Sequence, residues 1–235
     1  RFAETPTAFP ADAFSTIPFS SSRKWSALVG TAAGSHLGTW VLGAPEVVLE
    51  EEGSRAQWAD KAVSEASNRG QRTICLAHSA HLMQGQVLPT QLRVIAIIVM
   101  SEDIRPDAAE TLKYFREQGV GVRVISGDAP ATVAAIARQV GLGDGETPIR
   151  VIDARHLPDP ADPQFDQMVA DVQVFGRVRP DQKRDIVASM RAQGHTVAMT
   201  GDGVNDALAL KKADLGIAMG NGAPATKAVS RLVLL

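Results

Sequence analysis

The apolar run Val197-Ala198-Met199 passes directly into Thr200-Gly201-Asp202-Gly203-Val204-Asn205-Asp206, which sets two carboxylates, a carboxamide and two glycines within seven residues. A short buried strand that ends in such a turn holds Asp202 and Asp206 at the carboxyl edge of its sheet, where open α/β sheets bind ligands. Hard oxygen ligands on a turn that glycine permits suit Mg²⁺, which takes one or two carboxylates and completes its shell with water and phosphate. The same residues also read as an Asx-rich turn that caps the next helix.

The rest of the second half repeats this strand–turn–helix pattern. Helices are expected over 107–118, 131–140 and 181–193, and strands over 122–125, 172–175, 195–199, 215–219 and 232–235. Val133, Ile136, Ala137 and Val140 follow the i, i+3, i+4, i+7 spacing of a core-facing stripe. Repeated β-α units imply a parallel sheet with helices on both faces. The stretch 144–166, with four prolines, reads as a surface excursion.

Before about residue 102 the texture differs. The first 22 residues, rich in Pro, Ala, Ser and Thr, read as irregular. Residues 24–30 alternate, with Trp25, Ala27 and Val29 on one face, as a half-buried strand does. Gly34 and Ser35 offer a turn to a returning strand over 37–42, helices follow over 44–52 and 57–68, and strands over 72–77 and 92–100 complete an antiparallel set. The expected fold is an α+β antiparallel-sheet domain at 1–101 followed by an α/β parallel-sheet domain at 102–235.

Charge and composition exclude several classes. A net charge of −2 gives no footprint for nucleic acid. The longest purely apolar run, Val94 to Met100, is seven residues, against the roughly 20 needed to span a bilayer. The single cysteine, Cys75, lies in an apolar stretch and reads as a buried small hydrophobe in a reducing compartment. His36, His78 and His81 lack metal-ligand spacing and are treated as structural.

Further acidic turns follow expected strands: Ser126-Gly127-Asp128, and Glu102-Asp103-Ile104-Arg105-Pro106. Strands of one parallel sheet share a carboxyl edge, so turns distant in sequence can converge there. Ser126-Gly127-Asp128 is also an ordinary helix lead-in before Pro130. Lys183 falls in the first turn of a helix opened by Pro180. It is either a solvated lysine or the cation expected beside a transferring phosphoryl group. In the first half, Phe19-Ser20-Ser21-Ser22-Arg23-Lys24 sets an aromatic near two cations, a plain strand start or a place for an adenine to stack while Arg23 or Lys24 meets phosphate.

The stretch from Thr200 through Ala207-Leu208-Ala209-Leu210-Lys211-Lys212-Ala213-Asp214-Leu215-Gly216 to Gly220 closely resembles the hinge-proximal motif of P-type ATPases, with Leu208 where proline is usual. Residues 102–108 resemble that family's Asp-Pro-x-Arg segment, Ser126-Gly127-Asp128 its Thr-Gly-Asp, and residues 174–183 the segment with its phosphate-contacting lysine. Pro18 to Ala27 resembles the adenine-stacking segment, and Leu42-Gly43-Ala44-Pro45-Glu46 the Lys-Gly-Ala-Pro-Glu motif, with Leu42 in place of the lysine. The resemblance covers most of residues 15–235 and points to the calcium and sodium/potassium branch.

The resemblance implies a haloacid-dehalogenase-like phosphorylation domain beside a nucleotide-binding domain, with ATP and Mg²⁺ as cofactors. Asp202 would hold Mg²⁺ with Asp206 beside it, and Lys183, Asn205, Ser126 and Gly127 would contact or orient the phosphoryl group. Phe19, Arg23, Lys24, Arg72, Arg105 and Asp128 would serve the nucleotide. The family's nucleophile is the aspartate of Asp-Lys-Thr-Gly-Thr, a string that does not occur here. On this reading the first strand with its nucleophile lies upstream. The chain is then the cytoplasmic-face portion of a membrane pump, inactive alone, whose partners are the actuator and transmembrane domains of the same protein. A haloacid-dehalogenase-type phosphatase and a non-catalytic nucleotide-sensing module are the alternatives.

Overall fold

A computed structural model describes residues 14–20, 22–30, 37–49, 57–101, 103–143 and 148–235. The chain divides into two compact units, Arg1–Glu102 and Asp103–Leu235. The expected turn at Gly34 and Ser35, the structural assignment of His36, and Glu102 lie outside the described residues.

The first unit is a five-stranded antiparallel sheet in sequential order: β1 (Phe14–Ser20), β2 (Trp25–Gly30), β3 (Gly38–Gly43), β4 (Arg72–Ser79) and β5 (Arg93–Met100). Two helices, α1 (Pro45–Val48) and α2 (Gln57–Asn68), connect β3 to β4. Trp25, Ala27 and Val29 are buried as their alternation requires, and the first two join Val41, Cys75, Ala77 and Leu92 in one core with Val48 of α1 and Ala59 of α2. Burial pushes the Cys75 thiol up to about 11, so the side chain stays a neutral packing group.

Two expectations fail in this unit. The N-terminal stretch is not irregular throughout, because residues 14–20 pair antiparallel with β2 as an edge strand, with a register shift between Ile17 and Ser20 around Pro18. An edge tolerates the amide that proline lacks. The helix expected over 44–52 is limited, among described residues, to the four of α1.

In the second unit the elements are α3 (Ala108–Glu117), β6 (Val124–Ile125), α4 (Pro130–Gln139), β7 (Val151–Asp153), α5 (Pro163–Asp171), β8 (Val174–Gly176), α6 (Pro180–Ala192), β9 (Ala198–Gly201), α7 (Ala207–Lys212), β10 (Leu215–Met219), α8 (Pro224–Val229) and β11 (Leu232–Leu234). Proline opens α4, α5, α6 and α8, where its fixed φ suits a first turn and its missing N–H costs nothing. All strand pairings are parallel, but they form two three-stranded sheets, β6-β8-β7 and β9-β10-β11, rather than one.

The described part of the stretch expected as a surface excursion, 148–166, is partly built into the fold: it contains β7, a 3₁₀ turn at Ala154–His156 and the start of α5. Ala154 and Phe165 from it are buried with Phe175 and Ile186.

Strand β8 is buried along its whole length. Its successive side chains point to opposite faces, so Val174 packs with Val133 and Ala137 of α4, while Phe175 packs with Phe165, Val169 and Ile186. Burying a side chain such as Phe175 contributes about 1.5–3 kcal/mol. Of the four stripe residues only Val133 and Ala137 are buried, Ile136 and Val140 being half-buried, while Thr132, Ala134 and Ala135 are buried outside the expected stripe. Helix α6 spans the two sheets: Ile186 belongs to the cluster over β8, and Val187 to the cluster of Met199, Ala209 and Leu210 beside β9. Among the described residues, no helix is long and apolar enough to cross a membrane.

Candidate functional site

Parallel pairing sets Ile125 opposite Phe175 and Asp153 opposite Gly176, so the residues following β6, β7 and β8 leave one edge together. Gly176 is dictated by packing, since a Cβ there would sit 2.6 Å from Cα of Pro130. That close approach lets the turn after β6 lie against the end of β8.

The turn itself is laced to its neighbour. Ser126 N–H donates to the Phe175 carbonyl (2.9 Å), Val178 N–H to the Ser126 carbonyl (2.9 Å) and Arg177 N–H to the Asp128 carbonyl (2.8 Å). The Ser126 hydroxyl donates to Asp128 Oδ2 (3.3 Å) and accepts from Asp128 N–H (3.1 Å). Gly127, at the apex, is exposed and has open space where a Cβ would lie. Nothing in the fold demands glycine at that position.

At the end of β9 the second turn has a buried and an exposed carboxylate. Asp206 is buried, and Lys183 Nζ lies 2.6 Å from its Oδ1. Its Oδ2 accepts from Gly203 N–H at 3.2 Å, so both oxygens are engaged. A Cβ on Gly201 would come within 2.6 Å of Asp206 Cβ, which explains the glycine before Asp202. Asp202 and Asn205 are exposed, and the Asp202 carbonyl accepts from Ala223 N–H (2.7 Å). The structure thus brings Lys183 and Asp206 together from positions 23 apart, while Asp202 presents its carboxylate outward. An exposed carboxylate on a glycine-flanked turn, with a carboxamide three residues on, is a hard-oxygen donor set that fits Mg²⁺ better than a softer metal. Among the described residues, no group of three or more His, Cys, Asp or Glu side chains forms a metal cluster. Arg105 forks onto Asp107 at 3.1 and 3.0 Å, away from either turn's hydrogen bonds.

In the first unit, the Phe19 ring is 64% exposed at the end of β1, an aromatic face open to a ligand. Arg23 donates to Gln86 Oε1 and to the Pro18 carbonyl, both at 2.7 Å, and lies over the Trp25 ring at 5.1 Å. Lys24 takes a left-handed backbone (φ 61°) and pairs with Glu46 at 3.2 Å. Arg72 opens β4 opposite Met100 and is exposed. Leu42 is 39% exposed on β3.

Residue reasoning alone did not single out Glu46, Asp153 or Arg177. Arg177 Nη1 lies 2.7 Å from Asp153 Oδ2, and Arg155 forks onto the same carboxylate. Burial raises the Asp153 pKa, but hydrogen bonds from Arg155 and Arg177 outweigh it and hold the group well below the usual carboxylate range. Acid and base lie 24 positions apart, with no local pattern to link them.

Comparison with known proteins gives consistent matches. The family model described as haloacid dehalogenase-like hydrolase matches residues 26–214. The chain is 44% identical over 232 residues to the calcium-transporting ATPase CtpE of Mycolicibacterium smegmatis, covering 99% of this chain and 27% of that protein. It is 45% identical over 218 residues to CtpE of Mycobacterium tuberculosis, covering 93% of this chain and 26% of that one. With the probable cation-transporting ATPase exp7 of Streptococcus pneumoniae it shares 41% identity over 223 residues, 94% of this chain and 26% of that protein. The chain therefore spans about a quarter of the length of these curated relatives.

Proposed function

The chain belongs to the haloacid dehalogenase-like hydrolases, and from that membership we propose that it is the nucleotide-binding and phosphorylation portion of a cation-transporting P-type ATPase. The observation that carries this reading is the ion pair of Lys183 with the buried Asp206, on the same turn as the exposed Asp202. Phosphoryl transfer needs charge neutralisation and alignment. A lysine held by one carboxylate next to a second, outward-facing carboxylate supplies a place for both a phosphoryl oxygen and a metal.

Within that reading, residues 1–101 are the nucleotide-binding domain and 102–235 the phosphorylation domain. Phe19 stacks the adenine, and Arg23, Lys24 and Arg72 of the same unit are the cations offered to the nucleotide's phosphates. Lys183 moves part of its charge from Asp206 to the phosphoryl group, Asn205 and the Ser126 hydroxyl orient it, and exposed Gly127 lets it approach the backbone. Open space over a glycine that packing does not require supports this last role. Asp202 would hold Mg²⁺, which when bound neutralises phosphate charge and aligns the group for attack. Asp206 contributes by fixing the lysine.

The nucleophile of this reading is an aspartate on a segment outside these 235 residues. Its oxygen attacks the γ-phosphorus of ATP, ADP leaves, and water later cleaves the acyl phosphate. The 235 residues alone therefore would not turn over ATP. The actuator and transmembrane domains of the same protein are the partners, and the cytoplasmic face of the cell membrane is the place. Two of the relatives above are named calcium-transporting, so Ca²⁺ is the cargo to test first.

The test uses the full-length protein in membrane vesicles with γ-labelled ATP. Acid-stable, hydroxylamine-sensitive label should appear, and Asp202→Asn should lower its rate of formation by roughly 100-fold or more. A full-length protein that takes up no such label would overturn the reading.

A further inference from the structure

The carboxyl end of β7 is joined to both catalytic segments by short hydrogen bonds. Asp153 Oδ2 holds Arg177 at 2.7 Å, with the two side chains only 13% and 19% exposed. Arg177 has a left-handed backbone, φ 53°, a region that non-glycine residues seldom occupy. In that conformation its N–H reaches the Asp128 carbonyl, and the next amide, Val178, reaches the Ser126 carbonyl. One residue after Asp153, the Ala154 carbonyl accepts from Gln182 Nε2 at 2.7 Å. Gln182 also caps the Arg179 amide through Oε1, in the helical turn that presents Lys183.

We propose that Asp153 is a positioning residue: through Arg177 it sets the Ser126–Asp128 turn, and its peptide link to Ala154 sets the first turn of α6 against that same point. The inference rests on the phosphoryl-transfer reading for its catalytic consequence, though not for its geometry. Two loops from different strands must present a hydroxyl and an ammonium to one group, and each hangs by a hydrogen bond from residues 153 and 154. Arg155 shares the Asp153 carboxylate, forking onto it from two positions along the chain, and its side chain is 52% exposed. The Arg177 contact, between side chains both under 20% exposed, is the one that continues through the Arg177 and Val178 amides to the Ser126–Asp128 turn.

The full-length protein is tested as Asp153→Asn, with Arg155→Gln as the comparison. Asp153→Asn should lower the maximal rate of label incorporation from γ-labelled ATP by about tenfold, while half-saturating ATP changes less than about threefold, as expected when alignment rather than binding is lost. Arg155→Gln should change the maximal rate by less than about twofold. In hydrogen exchange, the amides of Asp128, Arg177 and Val178 should exchange at least about tenfold faster in Asp153→Asn than in Arg155→Gln. The proposal is overturned by an unchanged maximal rate, by equal losses in the two variants, or by exchange at these three amides that is the same in both. Absence of label in the unsubstituted protein would instead strike the phosphoryl-transfer reading, and exchange at residues 128, 177 and 178 would still decide the positioning.

Discussion

Lys183 Nζ and Asp206 Oδ1 lie 2.6 Å apart with only 13% and 10% of their side chains exposed, joining the first turn of one helix to the turn that precedes the next. A charge pair so shielded from water is strong only while both members remain, because losing one leaves the other buried without its counter-ion.

A double-mutant cycle should therefore show strong coupling. Lys183→Met and Asp206→Asn should each destabilise by about 3 kcal/mol, since each breaks a buried pair from one side. The double substitution should cost about 1–3 kcal/mol less than the sum. Urea unfolding monitored by circular dichroism measures all four states, and simple additivity would show that the pair is not an energetic unit.

Two glycines should behave in opposite ways. Gly176→Ala places a methyl 2.6 Å from Pro130 Cα, which is backbone and cannot swing aside. A loss of about 1–3 kcal/mol is expected from overpacking. Gly127→Ala meets nothing within 4 Å, so its stability should stay within about 0.5 kcal/mol, while phosphoryl transfer by the full-length protein falls. Thermal melts and label incorporation on both variants separate the structural glycine from the functional one.

The exposed Phe19 ring contributes little to the core, so Phe19→Ala should leave stability within about 0.5 kcal/mol. Loss of a stacking partner should weaken binding of a non-hydrolysable ATP analogue roughly tenfold, at the lower end of stacking energies of about 1–3 kcal/mol. Isothermal titration reads the change, and an unaltered affinity would remove Phe19 from the nucleotide site.

For Asp153 the pH dependence has a definite sign. Its folded pKa is depressed below the ordinary carboxylate value, so its stabilisation is fully present above about pH 4 and is lost as pH falls further through the folded pKa. Asp153→Asn should cost about 2 kcal/mol, of the order of hydrogen bonds to charged groups. That cost should be constant between about pH 5 and 8 and shrink only well below pH 4. Denaturant unfolding at stepped pH measures it; a cost that fades already between pH 6 and 5 would assign the effect to another group.

What could be read in advance followed local physics. Helix α2 runs from Gln57 to Asn68 as its pattern indicates, and it stops at Gly70, whose φ of 76° ends the helix where a side chain would resist. Strand β10 begins and ends where its apolar run does. The turns at 126–128 and 200–206 were legible because their chemistry is packed into consecutive residues. Strand β1 was hidden by Pro18, which signals a break but is tolerated at an edge with irregular register. Strand β7 was hidden by its length of three residues and by nearby prolines. Its place comes from β8 and from Phe165, partners that no window of sequence around Val151 contains. The Asp153–Arg177 pair escaped for the same reason, since it exists only after β7 and β8 lie side by side.

Consecutive residues of α6, Ile186 and Val187, are rooted in different hydrophobic clusters. A helix anchored on two sides is locked in rotation. Deleting or inserting one residue between Lys183 and Ile186 would turn Lys183 by about 100° relative to both anchors. The four-residue span from Lys183 to Ile186 is thus a fixed ruler, and natural or engineered variation in this protein should accept changed side chains there far more readily than a changed length.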